Sequence, residues 1–338
     1  MTLVAKTTGK WGFQAKPEAT YGTAVALTPA TDGIRLSSAP SCKVTDAYDG
    51  KRDGKSPGSY AMLPLVGSEG RTAECDIVME AAGAGAAYSS TVLPNAHKIL
   101  ICNGWKAVVD TTAGAETVTY TPGDDADFLS ICAEAYEYGE LYAIQGILGE
   151  GIELDCTLPK IASLKSKLKG IMAAFESDAA IPADLVYNST IGPKATAMNL
   201  TLADFAPVRV QEFKLTQKTG LTDRFYDNVN ARHGGYFFGE EVDFAFECTI
   251  ELPALAIGSP FHTATTFNPR ALKELGTSFA VALQVGGTQY KQFQLSAPAA
   301  QIVDDPREKK GAVATLKLSL AFRPTTEVAH DEVTLLYN

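Results

Sequence analysis

The amino-acid sequence predicts a mainly β protein made of two tandem β-sandwich domains, each with a short flanking α-helix and a long loop. Three observations lead to this fold class. Apolar and polar residues alternate in many short segments, helix signals stand out at two places, and landmarks of the first half recur in the second. The chain has 338 residues, of which 46% are hydrophobic, so two domains with buried cores are expected.

The predicted strands alternate apolar residues with charged or hydroxyl-bearing residues. The clearest segments are 74–80, 151–157, 243–252 and 315–322. This period of two is typical of antiparallel strands that bury one face and expose the other to water. Most of the chain is therefore expected to form antiparallel sheet.

Two segments carry the signals of a short helix. Asn268 is a candidate N-cap, Pro269 takes the first helical position, and Gly276 follows the last turn. Pro94 and Gly104 frame the other segment in the same way. One short helix is therefore expected in each half.

Landmarks of the two halves follow one another in the same order at nearly constant spacing, which predicts a duplication. Lys43-Val-Thr45 matches Lys214-Leu-Thr216, Glu74-Cys75 matches Glu247-Cys248, and Gly104 matches Gly276. An extra hairpin and loop at 105–128 explains why the spacing later shortens. The expected boundaries are an N-terminal arm at 1–38, a first domain at 39–180, a linker at 181–198, and a second domain with a C-terminal tail at 199–338.

Charge and composition exclude several function classes. Aspartate and glutamate number 39 against 29 lysines and arginines, which gives a formal net charge of −10. A basic footprint for nucleic-acid phosphates is lacking, and attachment to an anionic membrane is disfavoured. Neither a membrane-spanning segment nor a secretory signal is expected.

The sequence predicts no enzyme, no metal site and no cofactor. The six cysteines form no Cys-x-x-Cys pair, and the four histidines lack ligand spacing. We expect six reduced, mostly buried thiols in a protein that folds in a cytoplasm. The segment Asp49–Ser56 ends like a phosphate-binding loop, but Pro57 and Gly58 follow where a helix would have to begin.

Acidic residues repeat on one side of several predicted strands. They are Glu74, Asp76 and Glu80 on the first, Glu153 and Asp155 on another, and Asp243, Glu247 and Glu251 on the strand that matches the first. Two interpretations stay open at this point. The faces are simply exposed to solvent, or they form a negative surface that repels phosphate.

The segment Lys16-Pro-Glu18-Ala-Thr20-Tyr21-Gly22-Thr23 resembles the Lys-x-Glu-x-Thr-x-Gly-Thr opening of major tail tube proteins of long-tailed, siphophage-type bacteriophages. The helix segment from Pro94 to Gly104 and the strand Val118–Pro122 are also similar to that family. The resemblance covers roughly residues 10–175, and the second half looks like a second copy of the tube domain.

This resemblance implies a tail-tube-type β-sandwich with a flanking helix and a long loop, and a structural role in the virion. Family members form rings that stack into a hollow tube through which viral DNA passes without specific binding. A chain with two such domains is expected to form trimeric, pseudo-hexameric rings, with hexameric rings as the alternative. Implied partners are further copies of the chain and the tape-measure, tail-terminator and tail-tip proteins. The implied location is the virion tail, after assembly in the bacterial host cytoplasm.

The resemblance also assigns roles to particular residues. The acids expected to line the lumen are Glu74, Asp76, Glu80, Glu153, Asp155, Asp243, Glu247 and Glu251. The glycine-rich loops at 46–60 and 217–236 are expected to contact the next ring. Their basic residues at this contact are Lys51, Arg52, Lys55, Arg224 and Arg232.

An alternative from another class is a tail-tip or host-binding module of tandem immunoglobulin-like β-sandwiches. Such a module fits the alternating pattern but needs neither matched helices nor a ring. A carbohydrate enzyme is less favoured, because Trp11 and Trp105 are the only tryptophans available for sugar stacking.

Overall fold

The structure, a computed structural model, describes residues 11–45, 72–124, 127–177, 179–194, 198–225, 233–239, 242–326 and 330–338. Strands make up 53% of the chain and helices 6%, so the predicted mainly β class is confirmed. One antiparallel sheet contains 17 strands, and two more strands form a separate hairpin. No helix in the described ranges is long and apolar enough to cross a membrane.

Within its described residues, the first half of the chain contains eight strands and two helices. The strands are β1 (Trp11–Pro17), β2 (Ser41–Thr45), β3 (Thr72–Glu80), β4 (Trp105–Asp110), β5 (Thr117–Pro122), β6 (Ile131–Glu137), β7 (Glu140–Thr157) and β8 (Ser163–Ser177). The helices are α1 (Pro29–Asp32) and α2 (His97–Cys102). The pair β4 and β5 is the hairpin that the extra segment at 105–128 predicts.

The described part of the second half contains eleven strands and one helix. The strands are β9 (Met198–Leu202), β10 (Phe205–Val208), β11 (Val210–Lys218), β12 (Thr222–Phe225), β13 (His233–Phe237), β14 (Asp243–Glu251), β15 (Phe279–Val285), β16 (Phe293–Asp304), β17 (Arg307–Lys310), β18 (Val313–Arg323) and β19 (Thr334–Tyr337). The helix is α3 (Pro269–Leu275).

Both predicted helices form. The Asn268 side chain accepts a hydrogen bond from the amide of Ala271 at 3.1 Å, and Gly276 closes α3 in the left-handed conformation with φ 61°. The helix α2 begins only at His97, because the chain after Pro94 first makes a turn in which the His97 amide donates to the Pro94 carbonyl. The short helix α1 lies in the predicted N-terminal arm and carries no alternation that would reveal it.

The same order of strand pairing occurs twice along the chain. In the first half β2 pairs with β3, β3 with β8, β8 with β7, β7 with β6, and β6 with β1. In the second half β11, β14, β18, β16, β15 and β9 pair in the corresponding order. Because β1 pairs with β6, part of the predicted arm belongs to the sheet.

Two further pairings join the halves. The end of β7 pairs with β11, and the C-terminal strand β19 lies between β5 and β16. The C-terminal tail is therefore an internal strand, in which Leu335 and Tyr337 are fully buried. The cores on the two sides merge into one cluster of buried residues.

The expectation of six reduced thiols is wrong for one pair. Cys42 on β2 and Cys75 on β3 face each other directly and form a disulfide, with their Cα atoms 4.2 Å apart. The other four cysteines are free and buried. Residues far apart in sequence come together here through strand register, which the spacing of cysteines along the chain does not reveal.

Candidate functional site

One face of the central sheet is polar from β2 through β3, β8, β7, β11 and β14 to β18. We call it the polar face. Its charged residues are Lys43, Glu74, Asp76, Glu80, Glu150, Glu153, Asp155, Lys165, Lys167, Lys169, Glu212, Lys214, Lys218, Asp243, Glu247, Glu251 and Lys317. The opposite side of the same strands is buried, as at Cys75, Leu154, Phe246 and Leu318. This two-sidedness is the cause of the alternation in the sequence.

The acids of β3 meet lysines of β8. Glu74 lies 3.1 Å from the Lys167 ammonium and 3.4 Å from that of Lys169, and both lysines also pair with Glu150. Asp76 is exposed and stands opposite Lys167 in the register. Burial opposes ionisation of Glu74, but hydrogen bonds and charge from the two lysines outweigh it and hold its pKa below the usual value.

The acids of β7 meet lysines from both halves of the chain. Glu153 accepts hydrogen bonds from Lys165 of β8 at 2.6 Å and pairs with Lys214 of β11 at 2.5 Å. Asp155 pairs with Lys165 at 3.2 Å and also accepts a hydrogen bond from Ser163. Glu153 therefore links the two halves at the β7–β11 junction, and the two lysines outweigh burial in lowering its pKa.

The acids of β14 lie in a more exposed part of the polar face. Glu247 lies 3.1 Å from Lys317 of β18, and Glu251 lies 3.4 Å from Arg209. Asp243 is exposed at the beginning of the strand. Pairs this accessible to water contribute little to stability, so they matter here as surface charge.

Glu80 differs from the other acids expected in the lumen. Its carboxylate accepts a hydrogen bond from the Gly192 amide at 2.9 Å and lies 3.6 Å from the Arg35 guanidinium. The predicted linker thus covers Glu80 at the end of β3. The other seven predicted acids lie on the polar face away from this cover.

The polar face carries both signs of charge, and its lysines are a feature that the prediction from the acids alone does not include. The lysines of β8 occur at alternate positions in the segment Ser163–Gly170, so the same period of two could have located them. Their pairing with the acids of β3 and β7 depends on register between distant strands.

The basic residues predicted to contact a neighbouring ring cannot be placed. Lys51, Arg52, Lys55 and Arg232 lie outside the described residues. Arg224 belongs to β12, whose backbone pairs with β13, and its side chain is outside the description.

Within the described part of the 17-stranded sheet, five strands pair with a single other strand, and two of these, β2 and β17, adjoin the polar face; the others are β1, β4 and β10. The strand β2 pairs with β3 alone, and β17 pairs with β18 alone. The outward amide of Cys42 donates to the Glu137 carboxylate at 3.3 Å, and the same alternation turns the Val44 amide outward. On β17 the Pro306 carbonyl faces β18, so the amides of Arg307 and Lys309 face away from it.

A buried polar network supports the junction of the halves. The Trp105 indole donates to the Gln217 side chain at 2.7 Å, and Gln217 donates to the Asn103 carbonyl at 2.8 Å. The Asn103 side chain in turn donates to Ser166 at 3.0 Å and accepts from the Gly151 amide at 2.9 Å. The network ties α2, β7 and β8 to β11.

Glu18, in the segment that carries the family resemblance, is a structural carboxylate. Only 4% of Glu18 is exposed. It accepts hydrogen bonds from the amides of Gly22 and Gly146, both at 2.8 Å, and from the Ser130 hydroxyl at 2.6 Å. The sequence motif therefore anchors the arm to β7 and to the residue before β6.

Replacing Glu18 with glutamine is expected to lower the free energy of unfolding by about 1.5–3 kcal/mol. Glutamine presents an NH₂ group to donors that need an acceptor, and it removes the charge that strengthens these hydrogen bonds. Urea denaturation measures the loss, with the exposed Glu176→Gln of β8 as the matched control. Equal stabilities of the two variants would contradict this role of Glu18.

His97 is a neutral packed residue. Its ring contacts the hydroxyl of the buried Tyr120 at 2.9 Å. Burial, with a smaller effect from the Lys98 charge, lowers the pKa of His97 from 6.5 to about 4. Between these values the unfolded chain binds a proton that the folded chain does not, so stability falls as the pH falls through this window.

The variant His97→Gln is expected to flatten this pH dependence by about 2–3 kcal/mol between pH 6.5 and 4. Unfolding free energies measured by denaturant titration at several pH values test it. A wild-type unfolding free energy that does not change with pH in this window would refute the lowered pKa of His97. Above pH 6.5 the unfolding free energies of the two proteins should change with pH in parallel.

The described residues contain no group of three or more histidine, cysteine or acidic side chains that could hold a metal ion. No protein-family model matches the chain, and no curated protein matches it either.

Proposed function

We propose that the protein is a structural virion protein that polymerises as stacked rings into the hollow tail tube of a bacteriophage. In this proposal the two halves are tandem tail-tube-type domains. One observation carries it. At the junction between the halves, the end of β7 pairs with β11. The counterparts of these two strands, β17 and β2, each leave one edge open within the described residues.

The internal junction supplies the pattern. Leu154 on β7 pairs with Leu215 on β11. By the doubled pairing order β2 is the counterpart of β11, and Val44 corresponds to Leu215. The strand β17 continues β16 and pairs with β18. The end of β7 pairs with β8 in the same way, so Lys309 on β17 corresponds to Leu154 on β7.

The direction of the backbone groups agrees with this correspondence. At the internal junction the Leu158 amide donates to the Gln211 carbonyl, and the alternation turns the amides of Leu154 and Leu215 toward each other. Their counterparts Val44 and Lys309 also present their amides outward. The open edges of β2 and β17 thus turn their backbone amides outward at positions that match those of the two edges already joined.

Pairing of β17 in one copy with β2 in the next is a head-to-tail contact. Such contacts build closed rings when the rotation per copy allows it. Three chains would supply six tube domains, which is the pseudo-hexameric ring implied by the resemblance, and six chains are the alternative. Ring closure would also cover the open edges of β2 and β17.

The polar face would line the lumen of such a ring. Its acids alternate with lysines, so DNA meets no continuous basic path to which phosphates would adhere. The net charge of −10 acts in the same direction. The proposal therefore includes passage of DNA without specific binding. As the resemblance implies, it also includes a location in the virion tail and contacts with tape-measure, tail-terminator and tail-tip proteins.

Negative-stain electron microscopy of concentrated protein, combined with light scattering after size exclusion, tests the function. Rings or hollow tubes are the expected result, and the mass per ring distinguishes three chains from six. Labelling of the chain in intact particles provides the second measurement. Label confined to the tail tip or to fibres would overturn the tube assignment in favour of a host-binding module of tandem immunoglobulin-like sandwiches.

A further inference from the structure

A second contact accompanies strand pairing at the internal junction. The segment 81–96, which follows β3, is covered by the turn between β15 and β16 in the other half. The Gly85 amide donates to the Tyr290 carbonyl at 2.9 Å, and the Tyr88 and Tyr290 rings pack edge to face with centroids 5.6 Å apart. As a result only 2% of Tyr88 is exposed.

The corresponding segment in the second half, 252–267, follows β14 and presents apolar side chains to solvent. Ile257 is 93% exposed and Leu255 is 53% exposed. The Leu252 amide donates to the Ala314 carbonyl, and the Ala81 amide donates to the Ala162 carbonyl, so in each half the first residue after the strand extends its pairing. The two segments thus begin in the same way, but the turn that covers the first has no equivalent over the second within the described residues.

The counterpart of the covering turn lies in the first half, between β6 and β7. Tyr138 at this turn is 43% exposed and has φ 51°, close to the φ of 62° at Tyr290. Both tyrosines thus adopt the left-handed conformation that is uncommon outside glycine. The turn and the segment 252–267 belong to opposite halves of the doubled arrangement.

Each of these two surfaces adjoins one of the open edges. Glu137, next to Tyr138, contacts β2 through the Cys42 amide. Leu252 is hydrogen-bonded to Ala314, which pairs with Lys309 on β17. Pairing of β17 with β2 of a second copy would therefore bring the two surfaces together, and it would set the acid Glu137 near Lys309 of β17.

We infer that the segment 252–257 of one copy is the docking site for the β6–β7 turn of a second copy, with Ile257 and Leu255 packing against Tyr138. The occupant is a second copy because the same chain carries both surfaces and joins their counterparts internally. The inference rests on the head-to-tail assembly proposed above. It adds an apolar contact outside the sheet to the strand pairing.

The variant Ile257→Asp tests the docking site in the full chain. Because Ile257 is almost fully exposed, the subunit is expected to keep its thermal unfolding curve. The protein concentration needed for half-maximal assembly, measured by light scattering, should rise at least about tenfold. Val108→Asp, on the exposed side of β4 in the hairpin, is the matched control and should leave that concentration unchanged.

Cross-linking supplies an independent readout. Chains with Ile257→Cys are mixed with chains with Tyr138→Cys and oxidised, and a disulfide-linked pair of the two variants is expected. Val108→Cys mixed with Tyr138→Cys should give none. If wild type and Ile257→Asp assemble at the same concentration and no linked pair forms, the docking site is refuted while the tube function stands. If neither the purified wild-type protein nor virions contain a tube, the proposed function itself is refuted.

Discussion

The variant Val44→Pro is expected to fold normally and to lose head-to-tail assembly. Proline removes a backbone N–H, and the Val44 amide points away from β3, so the internal ladder keeps its hydrogen bonds. In the proposed ring this amide would donate to β17 of the next copy. Both the missing donor and the proline ring would then block the incoming strand, as prolines on natural edge strands do.

Light scattering and electron microscopy measure the loss of assembly, and thermal unfolding checks the fold. Val44→Ala keeps the amide and should assemble like wild type. Lys309→Pro on β17 should reproduce the assembly defect from the other side of the contact. Lys43→Pro offers a contrast, since its amide faces β3 and its loss should destabilise the subunit. Normal tubes from Val44→Pro would show that β2 is not an assembly edge.

Replacing Trp105 with alanine is expected to lower the free energy of unfolding by about 3–5 kcal/mol. The side chain is fully buried and packs edge to face on Phe244 with ring centroids 5.5 Å apart. Its indole also provides the hydrogen bond to Gln217. Alanine would leave a large cavity and an unpaired amide oxygen at the junction of the halves.

Two variants separate these contributions in a denaturant titration. Trp105→Phe retains most of the packing but not the hydrogen bond, so it should lose less than Trp105→Ala. Val108→Ala, an exposed position on the same strand, should change stability by less than about 0.5 kcal/mol. A loss below about 1 kcal/mol for Trp105→Ala would mean that the junction relaxes around the cavity.

Local patterns account for much of the fold. Alternation predicts β3, β14 and β18, because each has one buried and one wet face. The helix α3 is predicted from Asn268 and Gly276, whose capping roles depend on a few neighbouring residues. The recurring landmarks anticipate the doubled pairing order, since equivalent strands keep equivalent residues.

The remaining features depend on contacts between distant parts of the chain. The pairing of Cys42 with Cys75 needs the register of β2 and β3, and the lysine partners of Glu153 come from strands on either side of it. The open edges are likewise a property of the sheet as a whole. The acids on the polar face can be predicted from the alternation within single strands. Their pairing with lysines cannot, because it depends on the register between distant strands.

The position of β19 has a consequence for biosynthesis. This strand completes the layer between β5 and β16, although the ribosome makes it more than 200 residues after β5. Contacts of such long range form slowly. Until β19 has been synthesised, the sheet of the N-terminal half lacks one of its strands. Nascent chains that stop before Thr334 would lack this strand. Such truncated subunits would leave β5 and β16 without the strand that pairs with both of them.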